Sequence, residues 1–198
     1  STTWASESMM VISKTPLRIS FAGGGTDMPD FYLKHDGAVL STTINKYLYV
    51  TVKRHGELYE ESYRLNYSTT EQADRLDDIK NDIARECLRL SQVEPPIYIS
   101  TVADLPGLSG LGSSSGFAVG LLHALHAFSG NRVSPGQLAE EAAKVELEIL
   151  ERPIGKQDHY AAAFGGLSHF KFQADGQVTI TPQHLPKGQL DSLFNHIL

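Results

Sequence analysis

Between a β-like run, Ile97-Tyr98-Ile99-Ser100-Thr101-Val102, and a long apolar segment over residues 117–128 lies a glycine- and serine-rich stretch, residues 105–116. Strand, glycine–serine loop and helix in that order place free backbone N–H groups at a helix N-terminus. The helix dipole adds partial positive charge there. Such a mouth takes an anion, most often a phosphate. Gly107, Gly110, Gly112 and Gly116 let the backbone reach positive φ and let a ligand come close. Ser113, Ser114 and Ser115 add hydroxyls that can cap the helix, touch a phosphate oxygen or bind a hard cation such as Mg²⁺. A plain glycine–serine turn with a serine cap is the competing reading. Against it stand the length of the loop, the triple serine, and the small-residue stripe Gly112, Gly116, Gly120 and Ala124, which allows close packing of the helix. No lysine follows the last glycine, so this is not a Walker A loop. No acidic residue stands at a strand end about twenty residues on, so it is not a dinucleotide fingerprint either. A phosphate loop of another type is expected.

The 198 residues suit one large domain, or a domain and a fragment, and 41% hydrophobic content can fill a substantial core. A formal charge of -6 argues against nucleic acid or a membrane surface as partner. Phosphate recognition must then be local. The single cysteine, Cys87, sits in a helical pattern and reads as a small packed thiol. It excludes an internal disulfide, which suits a cytoplasmic location. No run approaches the roughly 18 apolar residues of a membrane span, and no signal peptide is visible. Residues 1–10 are expected to be a loose or added terminus. Residues 11–181 are expected to form the folded domain, and 182–198 to begin a linker or a truncated second domain.

Along the chain, residues 11–14 and 17–21 read as short extended segments around Pro16, with Arg18 on the polar face. Ala22-Gly23-Gly24-Gly25-Thr26-Asp27 comes next: either a flexible turn, or a place where a ligand rests on bare backbone while Asp27 accepts bonds from its hydroxyls. Residues 29–35 suit a short helix. Residues 38–44 and 47–52 read as strands of an antiparallel hairpin turning at Asn45-Lys46, and Lys53-Arg54-His55 as a solvated turn. A further strand pair is expected within 57–67, with helical periodicity over 70–90, where Ile79, Ile83, Cys87 and Leu90 share a stripe. Ser134-Pro135-Gly136-Gln137 forms a capping box for a helix over 137–150, whose apolar stripe is Leu138, Ala142, Val145 and Ile149. Residues 152–155 break it. A short helix over 156–164 and a hairpin around Asp175-Gly176 complete the pattern, and 182–198 carry little signal.

Taken singly, Glu146 reads as a solvated helix residue, Asp158 as an N-cap and Arg18 as a surface charge. Together with the loop they form a pattern. Pro-Leu-Arg-Ile-Ser-Phe-Ala-Gly-Gly-Gly-Thr-Asp, the loop of residues 105–116 and Gly-Lys-Gln-Asp-His-Tyr-Ala-Ala-Ala-Phe-Gly-Gly, in this order, resemble the GHMP sugar and isoprenoid kinases over about residues 11–181. Within that superfamily they look most like the D-glycero-D-manno-heptose 7-phosphate kinases. The resemblance implies an α+β fold, a mostly antiparallel two-layer sheet with packed helices, similar to a ribosomal-protein domain. It implies ATP- and Mg²⁺-dependent transfer of the γ-phosphoryl group to the anomeric hydroxyl of a heptose phosphate. The family pattern assigns nucleotide binding to Pro106, Gly107, Leu108, Ser109, Gly110, Leu111, Gly112, Ser113, Ser114 and Ser115. It assigns Mg²⁺ to Ser114 and Glu146, catalysis to Asp158 as base with Arg18 beside it, and the sugar to Gly24, Gly25, Thr26 and Asp27. Arg18 is expected to keep Asp158 ionised, and Lys156 and His159 to be supporting or solvent-facing. The family's third, glycine-rich C-terminal motif has no counterpart after Gly166. A fucose- or galactose-type hexose kinase and a non-catalytic sugar-binding module remain the alternatives, and a homodimer stays open.

Overall fold

The computed structural model describes residues 9–56, 58–105 and 110–196, without the side chains of Lys187 and Leu190. Its backbone is β2, a single strand of 18 residues, Gly37–Arg54. On one side β2 pairs along nearly its whole length with β1, Met10–Ala22. On the other side its two halves take different partners. Residues 48–54 pair with β5, Ile97–Ala103, and residues 37–42 with β6, Leu167–Phe172. The sheet continues through β3, Tyr63–Asn66, and β4, Thr70–Ala73, at one end, and β7, Val178–Pro182, at the other. Among the described residues the pairing is antiparallel except between β3 and β5, so the expected mostly antiparallel α+β sheet is present.

The expected hairpin at Asn45-Lys46 is not there. Pro16 faces Tyr47 and Arg18 faces Thr43, so Leu17 alone stands opposite residues 44–46. The turn signal is absorbed as an irregularity in one continuous strand, and Pro16, which has no N–H to give the ladder, sits in a strand with a single neighbour. Lys53 and Arg54 likewise end β2 rather than a turn, and His55 is buried, stacked on Tyr59 and bonded to Glu61. Residues 70–73, expected within a helical stretch, form β4.

Helices cover one face. They are α2, Asp82–Ser91; α3, Ser113–Phe128; α4, Pro135–Ala143; and α5, Gln157–Phe164, with a short α1, Pro29–His35, and an exposed α6, Lys187–Asn195, which the sequence did not signal. Alternation on the strands explains the two layers: Leu48, Val50 and Val52 point into the helices and are buried. α3 lies at the centre, packed on β1, β2, α2, α4 and α5. Its small-residue stripe permits this. A Cβ on Gly120 would stand 2.6 Å from Thr15 Oγ1, and Ser13 Oγ donates to the Gly120 carbonyl at 2.7 Å. Ile79, Ile83 and Cys87 are buried as their spacing requires. Ser134 Oγ accepts from Gln137 N–H at 3.2 Å, so α4 starts at its capping serine.

The helix expected over 137–150 changes winding. α4 ends at Ala143, and residues Lys144–Ile149 form a π-helical turn, closed by Leu150 N–H donating to Val145 O at 3.0 Å. The wider turn rotates the predicted stripe out of register: Leu138, Ala142 and Val145 are buried, while Ile149 is 42% exposed.

Candidate active site

α3 begins abruptly. Gly112 is its N-cap in the left-handed region (φ 78), and no side chain caps it. The first-turn amides of residues 113–115 therefore stay available to a ligand, in the environment that favours anions. Gly110 is also left-handed (φ 71). Pro106, Gly107, Leu108 and Ser109 lie outside the described residues.

β1 delivers Arg18 to this mouth just past its irregularity. Arg18 N–H donates to Leu111 O at 3.2 Å and Nη1 donates to Gly110 O at 3.0 Å, which ties the loop to the strand. Arg18 Nε donates to Asp158 Oδ1 at 2.6 Å across 140 residues of chain. Asp158 stands in the first turn of α5, rather than as its N-cap, and a Cβ on Gly112 would lie 3.3 Å from its carboxylate. Burial pushes the Asp158 carboxyl up, with the nearby Asp27 charge adding to it; Arg18 and His159 pull it back without cancelling the rise. Arg18 favours the ionised form of Asp158, as its charge requires, while desolvation opposes it and sets the net direction.

The π-helical turn carries Glu146 inward, where it is fully buried. Ser114 Oγ donates to its Oε2 at 2.7 Å, His159 Nε2 meets its Oε1 at 3.0 Å, and Arg152 Nη1 donates to Oε2 at 3.1 Å. Burial works to raise the Glu146 carboxyl, but the bonds from His159, Ser114 and Ser115 outweigh it, and its pKa falls below the ordinary value. It is held as an anion. His159, expected to be supporting or solvent-facing, is fully buried and orients Glu146. Lys156 bonds Glu140. Arg152 carries no sequence signal beyond its place in a helix breaker.

Asp27 is on the lining of a hollow under the glycine loop. Its carboxylate is 1% exposed and accepts from Gly25 N–H at 3.0 Å, Gln157 N–H at 3.0 Å and Gln157 Nε2 at 3.2 Å. Thr26 Oγ1 donates to Gly23 O at 2.7 Å and accepts from Ala38 N–H at 3.0 Å. The glycine loop is thus clasped to the segment that leads into Asp158. Gly24 and Gly25 expose backbone beside it, and a hollow of about 230 Å³ opens between Gly25, Met28, Ile154 and Asp158. The clasp needs a glycine at 155, because a Cβ there would stand 1.8 Å from Asp27 Oδ2. Gly155→Ala is therefore expected to destabilise the fold by about 1–3 kcal/mol, the usual cost of overpacking, seen as a lowered midpoint in urea melts.

Sequence reasoning missed a second hollow, of about 420 Å³, at the other side of the α3 mouth. Leu48, Tyr67, Ala103 and Phe117 give it apolar walls, and Asn81 and Ser114 supply polar groups. Glu71 shapes it by accepting from the Lys80 and Asn81 amides at 2.6 and 3.0 Å and from the Tyr67 hydroxyl. Burial and Glu71 push the Tyr67 hydroxyl up to about 12, so it stays a neutral donor.

A two-layer α+β domain with an amide-lined helix mouth, a half-buried Arg–Asp pair and a hydroxyl–carboxylate pair has the architecture of the small-molecule kinases of the GHMP fold. Residues 78–166 match the family model described as the GHMP kinases N terminal domain. The chain carries a GHMP kinase N-terminal domain. It is 32% identical over 179 residues to a D-glycero-alpha-D-manno-heptose 7-phosphate kinase of Campylobacter jejuni, covering 86% of this chain and 53% of that protein. It is 25% identical over 163 residues to a galactokinase of Thermotoga neapolitana, covering 80% and 45%. A solved D-glycero-D-manno-heptose 1-phosphate kinase from Bacteriodes thetaiotaomicron superposes with a TM-score of 0.83 at 28% identity, over 93% of this chain and 63% of that one. The chain spans about half the length of the curated relatives it matches. Among the described residues no helix is long and apolar enough to cross a membrane.

Proposed function

We propose that this domain grips ATP and presents its γ-phosphoryl group to a hydroxyl of a sugar phosphate, with a heptose phosphate as the acceptor class. The observation that carries this reading is the meeting of Asp158, Arg18 and Gly112 at the uncapped start of α3. Phosphoryl transfer asks a protein mainly for positioning and charge neutralisation. The amides of residues 112–115 would hold the phosphates, and the apolar hollow beside them would take the base. The hollow between Gly25 and Asp158 would take the acceptor, resting on Gly24 and Gly25, with Thr26 and Asp27 fixing that loop. Asp158 would accept the proton of the attacking hydroxyl, and Arg18 would offset charge as the phosphoryl group moves.

The donor set fits Mg²⁺, which needs only one or two hard oxygen ligands from protein beside phosphate and water. Ser114 Oγ and the Glu146 carboxylate provide them, and no cluster of three or more His, Cys, Asp or Glu competes among the described residues. When bound there, Mg²⁺ would neutralise phosphate charge. The test is a substrate panel with the protein at its natural length and ATP. Product mass spectrometry is expected to show one added phosphoryl group on a heptose 7-phosphate and little on galactose or fucose. Preference for galactose or fucose would make it a hexose kinase. Sugar binding in calorimetry without nucleotide binding would make it a non-catalytic module.

A further inference from the structure

Arg152 is bonded in a way that the phosphoryl transfer itself does not use. It stands just after the π-helical turn, behind Glu151, a left-handed residue (φ 51). Its backbone N–H donates to Glu146 O at 2.9 Å, which fixes where the side chain departs. The guanidinium then joins three separate segments. Nη1 donates to Ser114 Oγ at 3.0 Å and to Glu146 Oε2 at 3.1 Å. Nη2 donates to both oxygens of Asp82, at 2.9 and 3.1 Å, at the first position of α2. The side chains of Arg152 and Asp82 are 30% and 43% exposed, so the guanidinium has a way out towards solvent.

The two oxygens that Nη1 touches are the two assigned to the divalent cation. A planar, permanently charged fork suits this task, since it satisfies a hydroxyl and two carboxylates at once. It also repels a second cation placed at the same oxygens. We propose that Arg152 is a positioning residue that serves as the resident counter-cation of the Ser114–Glu146 pair: it holds both ligands in place and yields them when a divalent cation arrives with the nucleotide. Asp82, at the edge of the apolar hollow next to Asn81, is the anchor it keeps. The Ser114–Glu146 pair then has a positive partner before and after loading, and idle binding of free metal is held down by competition from within the chain. This rests on Ser114 and Glu146 being the metal ligands.

The probe is Mn²⁺ alone, without nucleotide, titrated into the protein at its natural length and read by the electron paramagnetic resonance of free Mn²⁺. Removing one positive charge beside a divalent ion is expected to tighten Mn²⁺ binding about tenfold in Arg152→Met and Arg152→Gln. The glutamine variant keeps a hydrogen-bonding head and so covers the case in which methionine fails to fold. Arg152→Lys keeps the charge and is expected to stay within about twofold of the parent. Binding that is unchanged or weaker in Arg152→Gln overturns the proposal, as does a lysine variant that tightens as much as glutamine. Ser114→Ala separates the two readings. If it leaves Mn²⁺ affinity intact, the metal assignment fails; if it weakens binding while Arg152→Gln does not tighten it, only the counter-cation role fails.

Discussion

Asp158→Asn is expected to lower kcat by roughly 10²–10⁴-fold, the contribution typical of a positioned proton acceptor, while nucleotide affinity stays near that of the parent. Asparagine keeps the size of the side chain beside Gly112 and leaves Arg18 its bonds to Gly110, so the phosphate mouth keeps its shape. What disappears is the lone pair that takes the hydroxyl proton. Single-turnover kinetics together with nucleotide titration separate the two effects. A variant that turns over normally removes the base assignment. The parent's rate is expected to fall on the acid side, with a limb above the ordinary aspartate range, because burial raises the Asp158 carboxyl. The same direction sets a stability trend. A carboxyl protonated more readily in the folded chain than in the unfolded one favours the fold below its ordinary pKa. That contribution is lost as pH rises through the raised value. Asp158 thus works against stability at neutral pH, which is common for groups placed for chemistry.

Glu146→Ala is expected to cost about 3–5 kcal/mol of folding stability, the range for breaking a buried ionic group by removing one partner. The carboxylate is fully buried and meets Ser114, Arg152 and His159. Removing it strands the ring of His159, whose Nδ1 already has no partner among the described residues, in a site with no exposure. Arg152 keeps Asp82 and Ser114 loses its acceptor. Denaturant melts read the loss, and Glu146→Gln, which retains shape and one acceptor oxygen, is expected to recover part of it. An alanine variant as stable as the parent would show that the four groups are not a cooperating unit. Activity is expected to drop in both variants through loss of the negative charge proposed to hold the divalent cation.

The features legible in the sequence were those set by local chemistry. Ser134 before Pro135 announces α4, the Asp175-Gly176 pair announces the β6–β7 hairpin, and the spacing of Ile83 and Cys87 announces the buried face of α2. Three distant segments were also named together, and the fold brings Arg18, Ser114, Glu146 and Asp158 to one end of α3. What sequence reasoning missed depends on tertiary pairing. Asn45-Lys46 looked like a turn because hairpin chemistry is local, whereas the long β1–β2 ladder that carries the strand through is not. Thr70–Ala73 is too short to show a period and becomes a strand by lying beside β3. The clasp that Asp27 makes is not legible in the sequence, since its three N–H partners include groups 130 residues away. His159, expected to be supporting or solvent-facing, supports Glu146, while Arg152 is only part of a helix breaker in the sequence: its partner is a buried carboxylate that periodicity places on a solvated helix.

The π-helical turn at Lys144–Ile149 makes chain length, beside residue identity, a constraint on this segment. Each residue of an ordinary helix advances the winding by about 100°, and the wider π-turn holds about one residue more, so excising one residue there would restore α-geometry while leaving the downstream chain near its present phase. Glu146, fully buried within the turn, would then be drawn out of line with Ser114 and His159. A single-codon deletion between Ala143 and Leu150 is therefore expected to cost the Ser114–Glu146 pair its geometry, as replacing Glu146 would.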